Sequence, residues 1–136
     1  MKKPSSAIFL WILRIIASLI MLQTLYYKFS GSAESVYIFS QMNMEPWGRY
    51  ATGIAELVAS LLILYKPTTP FGAFFAAGIM SGALLSHVFV LGIEVMGDHG
   101  LLFLYALIVW VAAILLLWIE KEKLFNSIKK LTSRRT

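Results

Sequence analysis

Cysteine is absent from this 136-residue chain, and disulfides, thiolate metal sites and dithiol redox chemistry by the chain itself are excluded with it. Charge is scarce: 14% of residues are Asp, Glu, Lys or Arg, where a soluble domain usually carries about 25%. Proline occurs only at Pro4, Pro46, Pro67 and Pro70, each at the edge of an apolar run rather than inside one. Histidine occurs twice, and His87, Glu94, Asp98 and His99 straddle a predicted helix end with no tight ligand spacing among them, so no metal site is predicted. No Ser–His–Asp order, phosphate-binding loop, haem histidine pair or flavin motif is present.

Apolar residues take the space that charge leaves, at 59% of the chain. They fall in four runs, about residues 7–28, 48–65, 71–92 and 101–119. At about 1.5 Å rise per residue, each is long enough to cross a hydrocarbon core of about 30 Å. The sequence therefore predicts an all-α, integral membrane protein with one domain over residues 1–136. Its predicted architecture is an antiparallel four-helix bundle with a short interfacial helix between helices one and two. Gly31-Ser32-Ala33 superficially resembles a signal cleavage site, but the apolar stretch before it is too long and Arg14 interrupts it. The first run is read as a retained helix.

Basic residues give an orientation. Lys2, Lys3, Lys66 and the tail 120–136, with Lys121, Lys123, Lys129, Lys130, Arg134 and Arg135, fall on one side of four crossings. The opposite loops hold only Lys28 and Arg49, against Glu34, Glu45, Glu94 and Asp98. Lysine and arginine excess marks the cytoplasmic side, so both termini are predicted there. The net charge of +5 is thus a topology signal and a contact for anionic lipid, and no nucleic-acid partner is predicted.

Local signals set the helix ends. Pro4-Ser5-Ser6 and Pro46-Trp47-Gly48 suit helix starts, Ser30-Gly31-Ser32 a stop, and Lys66–Pro70 and Glu94–Gly100 short turns. Within the outer loop, Ala33–Met42 reads as a short helix capped by Ser32, with Val36, Phe39 and Met42 on one face. It either lies flat among headgroups or folds back over the bundle as a lid. In helix three, Gly78 and Gly82 form a Gly-xxx-Gly pair, extended by Gly72/Ala76, Ala73/Ala77 and Gly82/Ser86. That pattern predicts close internal packing, with a homo-oligomer seam as the alternative.

The ionisable residues inside the runs bear on function, because a charge at membrane depth costs at least about 2.5–3.5 kcal/mol on insertion scales. Arg14 and Lys28 share a face of helix one, with Ser18 beside Arg14 and Gln23 roughly opposite. Arg49, Glu56 and Ser60 share a face of helix two, with Gly53 opening space between them, and His87 and Glu94 align on helix three. Helix four offers only Tyr105 and Trp110 and reads as a structural wall. The economical arrangement is an Arg14–Glu56 pair, plus an outer cluster of Lys28, Arg49 and His87 with Glu94 or Asp98. Such groups either hold helices in register or line a polar pocket for a ligand head group or a proton.

The segments Leu22-Gln23-Thr24-Leu25-Tyr26-Tyr27-Lys28-Phe29, Glu45-Pro46-Trp47-Gly48-Arg49, Gly53-Ile54-Ala55-Glu56-Leu57 and Ser86-His87, together with Arg14, resemble the DoxX/DoxX-like family over about residues 8–118. One departure is Leu25, where members often carry a small residue three before the lysine. The resemblance implies a four-helix protein of the bacterial cytoplasmic (inner) membrane. It further implies links to a thiosulfate:quinone oxidoreductase in archaea and to thiol-oxidative stress complexes in bacteria, and related animal proteins act as assembly chaperones for membrane receptors. The leading expectation is an accessory subunit of a membrane redox system, not catalytic alone, with no intrinsic cofactor. Its pocket would take a quinone-like or other amphipathic molecule, with Arg14 and Glu56 as polar floor and Lys28, Arg49 and His87 at the mouth. The alternative is an assembly or interaction factor for another membrane protein, and a small transporter ranks last.

Overall fold

The computed structural model describes residues 4–135 and is all-helical there. Lys2 and Lys3 lie outside the described residues. The α-helices are α1 (Pro4–Ser30), α2 (Ala33–Gln41), α3 (Trp47–Leu64), α4 (Thr69–Ser86), α5 (Leu101–Ile119) and α6 (Lys121–Ser133). A 3₁₀ turn, Lys66–Thr68, joins α3 to α4, and a π-helical turn, His87–Leu91, continues α4.

By length and composition, three segments can cross a membrane: Ser6–Ser30, Lys66–Leu91 and Leu101–Ile119. The second predicted span, α3, is 18 residues long, but Arg49 and Glu56 dilute its apolar character and it is not among the three. Nevertheless α3 packs between α1 and α4, while α5 packs against both α4 and α1. The contacts between these four helices centre on small side chains: Ala17, Ala59, Ala73, Ala76 and Ala113 are fully buried, with Ile63, Val109 and Leu116 among them. Large apolar residues such as Ile8, Leu19, Leu61, Phe74, Leu85 and Leu104 point outward, as expected where lipid rather than water surrounds the helices.

The close helix contact falls on the Gly72/Ala76 extension of the predicted pattern and not on its Gly78–Gly82 pair. A Cβ on Gly72 would lie 2.7 Å from Ile63 N and 2.9 Å from Ala59 O, so α4 touches the α3 backbone there. Around Gly78 and Gly82 nothing lies within 4 Å of such a Cβ. These two glycines leave space open instead of closing it. Gly53 differs from expectation in the opposite sense, because the Phe29 ring fills the gap, 3.0 Å from where its Cβ would stand.

The loop between α1 and α3 folds as its local signals predict. Ser32 Oγ accepts the Ser35 N–H at 3.3 Å and caps α2. Helix α2 lies against α1, α3 and the π turn rather than apart from them. Its buried residues are Ser35 and Phe39, so the inward face is rotated from the Val36–Phe39–Met42 stripe. The tail carries a further helix that the charge count concealed. In α6, Leu124, Ile128 and Leu131 recur at helical spacing beside Phe125, opposite a lysine-rich face, and Phe125, Ile128 and Leu131 are exposed.

Candidate functional site

Helix α1 ends with Lys28 facing α3, and the register of the two helices brings it onto Glu56. Lys28 Nζ lies 3.0 Å from Glu56 Oε2 and 3.2 Å from Oε1. Thr24 Oγ1 completes the group, 3.0 Å from Glu56 Oε2 and accepting from Lys28 Nζ at 3.2 Å. Glu56 is only 4% exposed, so these contacts replace the water it has lost.

The expected Arg14–Glu56 pair does not form. Arg14 is 2% exposed and donates to Ile63 O at 2.8 Å and to Leu64 O at 2.5 Å, while its guanidinium lies 3.7 Å from the Trp11 ring centroid. Those carbonyls end α3, where the last turn has no intrahelical partners and the helix dipole is negative. Arg49 plays the matching part at the other end. It is bound by Glu45, with Arg49 Nη2 2.8 Å from Glu45 Oε1, and donates to Lys28 O near the end of α1. Both arginines therefore cap a neighbouring helix. Ser18 and Ser60 are buried between the same helices: Ser18 Oγ reaches Ser60 O at 3.4 Å, and Ser60 Oγ donates to Glu56 O at 2.8 Å.

His87 opens the π turn, a distortion often found at functional positions. The ring is 5% exposed, sits edge-on to Phe103 and bonds Gly92 O through Nδ1 at 2.9 Å. Its alignment with Glu94 fails because the helix stops: Gly92 takes φ 83°, and Glu94 lies beyond it, exposed, with His99 at 3.9 Å. Asp98 does lie near the site, as a cap for α5. Its carboxylate accepts the N–H groups of Val95, Gly100 and Leu102 at 2.9, 2.8 and 3.1 Å. Burial alone would push the Asp98 carboxyl up, but those three bonds, with His87 nearby, outweigh burial and hold it below its ordinary value. Stability gained this way is present above the ordinary aspartate range, near pH 4, and is lost as pH falls through the lowered value. Asp98→Ala is therefore expected to lower stability by about 1–2 kcal/mol at neutral pH. The gap from wild type should close on acidification, as read by thermal unfolding in detergent.

Between these helices lies a partly open cavity of about 740 Å³, within the range of about 300–1,000 Å³ common for small-molecule sites. Thr24 and Lys28 of α1, Glu34 and Phe39 of α2, Glu56 of α3, His87, Asp98 and Tyr105 of α5 all line it. Ile20, Met21, Ile38, Ile79, Met80 and Leu102 supply apolar wall, and Gly78 and Gly82 make room. Of the five residues that the sequence nominates, Lys28, Glu56 and His87 meet at this cavity, whereas Arg14 and Arg49 stand behind its walls. Gln23, expected to face elsewhere, lines it too, and Tyr105 makes α5 more than a wall. Trp110 fits the structural part, donating to Ser81 Oγ at 3.0 Å.

Glu34 is the residue that sequence reasoning passed over, reading it only as a first-turn acid of α2. Its Oε1 is buried without a hydrogen-bond partner among the described residues. Burial, and then the neighbouring Asp98 carboxylate, push the Glu34 carboxyl above its ordinary value. The signal that could have found it is an acid on a short helix that folds back over charged helix ends. Among the described residues no group of three or more His, Asp or Glu is placed to hold a metal ion.

The DoxX family model matches residues 9–91, more than half of the chain and a shorter stretch than the sequence resemblance covers. The match takes in Lys28, Glu34, Glu56 and His87 and stops before α5. No curated protein and no solved structure matches the chain. With that family model spanning Lys28, Glu34, Glu56 and His87, the chain is a membrane protein that belongs to the DoxX family.

Proposed function

We propose that this protein binds a quinone-like amphipathic molecule in its cavity and serves as an accessory subunit of a membrane redox system. The observation that carries the reading is the cavity itself: about 740 Å³ with apolar walls and the Lys28–Glu56 pair set into one side. An aromatic ring with an isoprenoid or alkyl tail matches such walls, and intramembrane charges mark sites of function more often than not. Because the chain has no cysteine, electrons would pass through a partner protein. In this reading α1, α3, α4 and α5 form a four-span bundle in the bacterial cytoplasmic membrane. Lys66 and α6, joined by a hydrogen bond from Lys123 Nζ to Lys66 O, face the cytoplasm. The exposed apolar residues of α6 then lie in the inner headgroup region, with its lysines on anionic lipid.

Gly78 and Gly82 discriminate this reading from that of an assembly factor. They line the cavity, which favours a ligand over a packing seam there. The test is titration of decylubiquinone into purified protein in mild detergent. Saturable binding is expected in wild type. Gly82→Leu, which grows into open space, should weaken binding at least tenfold, about 1.4 kcal/mol, without lowering the unfolding midpoint. Absence of saturable binding in wild type removes the reading.

A further inference from the structure

The cavity's polar atoms are unequally satisfied, and the inequality has a sign. Lys28 spends its ammonium on Glu56 and Thr24. Asp98 is occupied by three backbone N–H groups. Two groups remain. Glu34 Oε1 is buried with no partner among the described residues. His87 uses Nδ1 on Gly92 O, and since a carbonyl only accepts, Nδ1 carries the hydrogen. In the neutral ring Nε2 is then an acceptor, and no described residue donates to it. Gln23, Tyr27, Ser35, Thr52 and Tyr105 also line the cavity, but an amide and hydroxyls can each give or take, so they favour neither kind of ligand.

We infer that the cavity selects an amphiphile whose head group donates hydrogen bonds, a hydroxyl-bearing ring such as a hydroquinone, over the same body with a head that only accepts them. Glu34 and His87 would receive the hydroxyl hydrogens, and the apolar walls the ring and tail. A buried acceptor left unmatched costs more than an ordinary hydrogen bond gains, so the group that supplies the missing donor is favoured. An ammonium head is the other donor class, opposed by Lys28 and favoured by the Glu34 and Asp98 carboxylates of the same lining, so one of the probes carries it. This inference rests on the reading of the cavity as a ligand site.

Three probes with one tail separate the cases: decylhydroquinone under anaerobic conditions, decylbenzoquinone and decylammonium, each titrated into the full-length protein in nanodiscs. Decylhydroquinone is expected to bind at least about tenfold more tightly than decylbenzoquinone. In Glu34→Leu, that preference should shrink to less than about threefold, because the hydroquinone loses an acceptor and the quinone no longer leaves one unmatched, while an unfolding midpoint no lower than wild type's shows that the fold is kept. Equal affinities in wild type, or tighter binding of the quinone, overturn the inference and leave the ligand reading intact. Tighter binding of decylammonium than of the hydroquinone overturns the assignment to a hydroxyl head. If no probe binds, the ligand reading fails and the inference with it.

Discussion

Lys28→Met is expected to lower unfolding stability by about 3–5 kcal/mol, the usual cost of removing one member of a buried ion pair. The Glu56 side chain is 6% exposed and that of Lys28 14%, so the carboxylate is the more desolvated partner. Deleting the cation leaves that carboxylate with the Thr24 hydroxyl alone. Glu56→Gln should cost less, because a neutral amide stays in place and Lys28, nearer the surface, keeps Thr24. The double variant Lys28→Met/Glu56→Leu should recover much of the loss, since apolar groups of similar size often replace buried pairs at little cost. Circular dichroism during denaturant titration in micelles reads all four proteins. A double variant no more stable than Lys28→Met alone would show that the two side chains stabilise the fold independently.

Gly72→Ala and Gly82→Ala are expected to move stability in opposite directions, although both add one methyl group to the same helix. At Gly72 the new Cβ meets Ile63 N at 2.7 Å and Ala59 O at 2.9 Å, which are backbone atoms that cannot rotate away. Helices α3 and α4 must separate, at a cost of about 2–3 kcal/mol for overpacking. The carbonyls of Ile63 and Leu64, held by Arg14, lie beside that contact, so their bonds should loosen as well. At Gly82 the methyl meets nothing within 4 Å, and alanine gains about 0.5–1 kcal/mol over glycine in a helix interior. Gly78→Ala should follow Gly82→Ala for the same reason. A destabilised Gly82→Ala alongside a neutral Gly72→Ala would reverse the assignment of the two packing roles.

The residues that sequence reasoning nominated divide according to reach. Lys28, Glu56 and His87 lie where the cavity is, because polar residues inside apolar runs turn toward other polar groups rather than lipid. Their pairing was not legible. Arg14 and Glu56 occupy similar estimated depths, yet the α1–α3 register puts the α3 C-terminal carbonyls within reach of the guanidinium and gives Glu56 to Lys28. The helical period likewise aligned His87 with Glu94 until Gly92, at φ 83°, ended the helix between them.

Length, apolar character and capping signals are local properties, and the amino-acid order alone determined them: the long apolar helices, the Ser32-capped α2 and the turn around Asp98. Tertiary structure alone decided which charge meets which, that Gly72 rather than Gly78 forms the close contact, and that Glu34 overlooks a cavity. The reason is physical. Helix formation depends on neighbours a turn away, whereas pairing depends on the offset between helices that the sequence places dozens of residues apart.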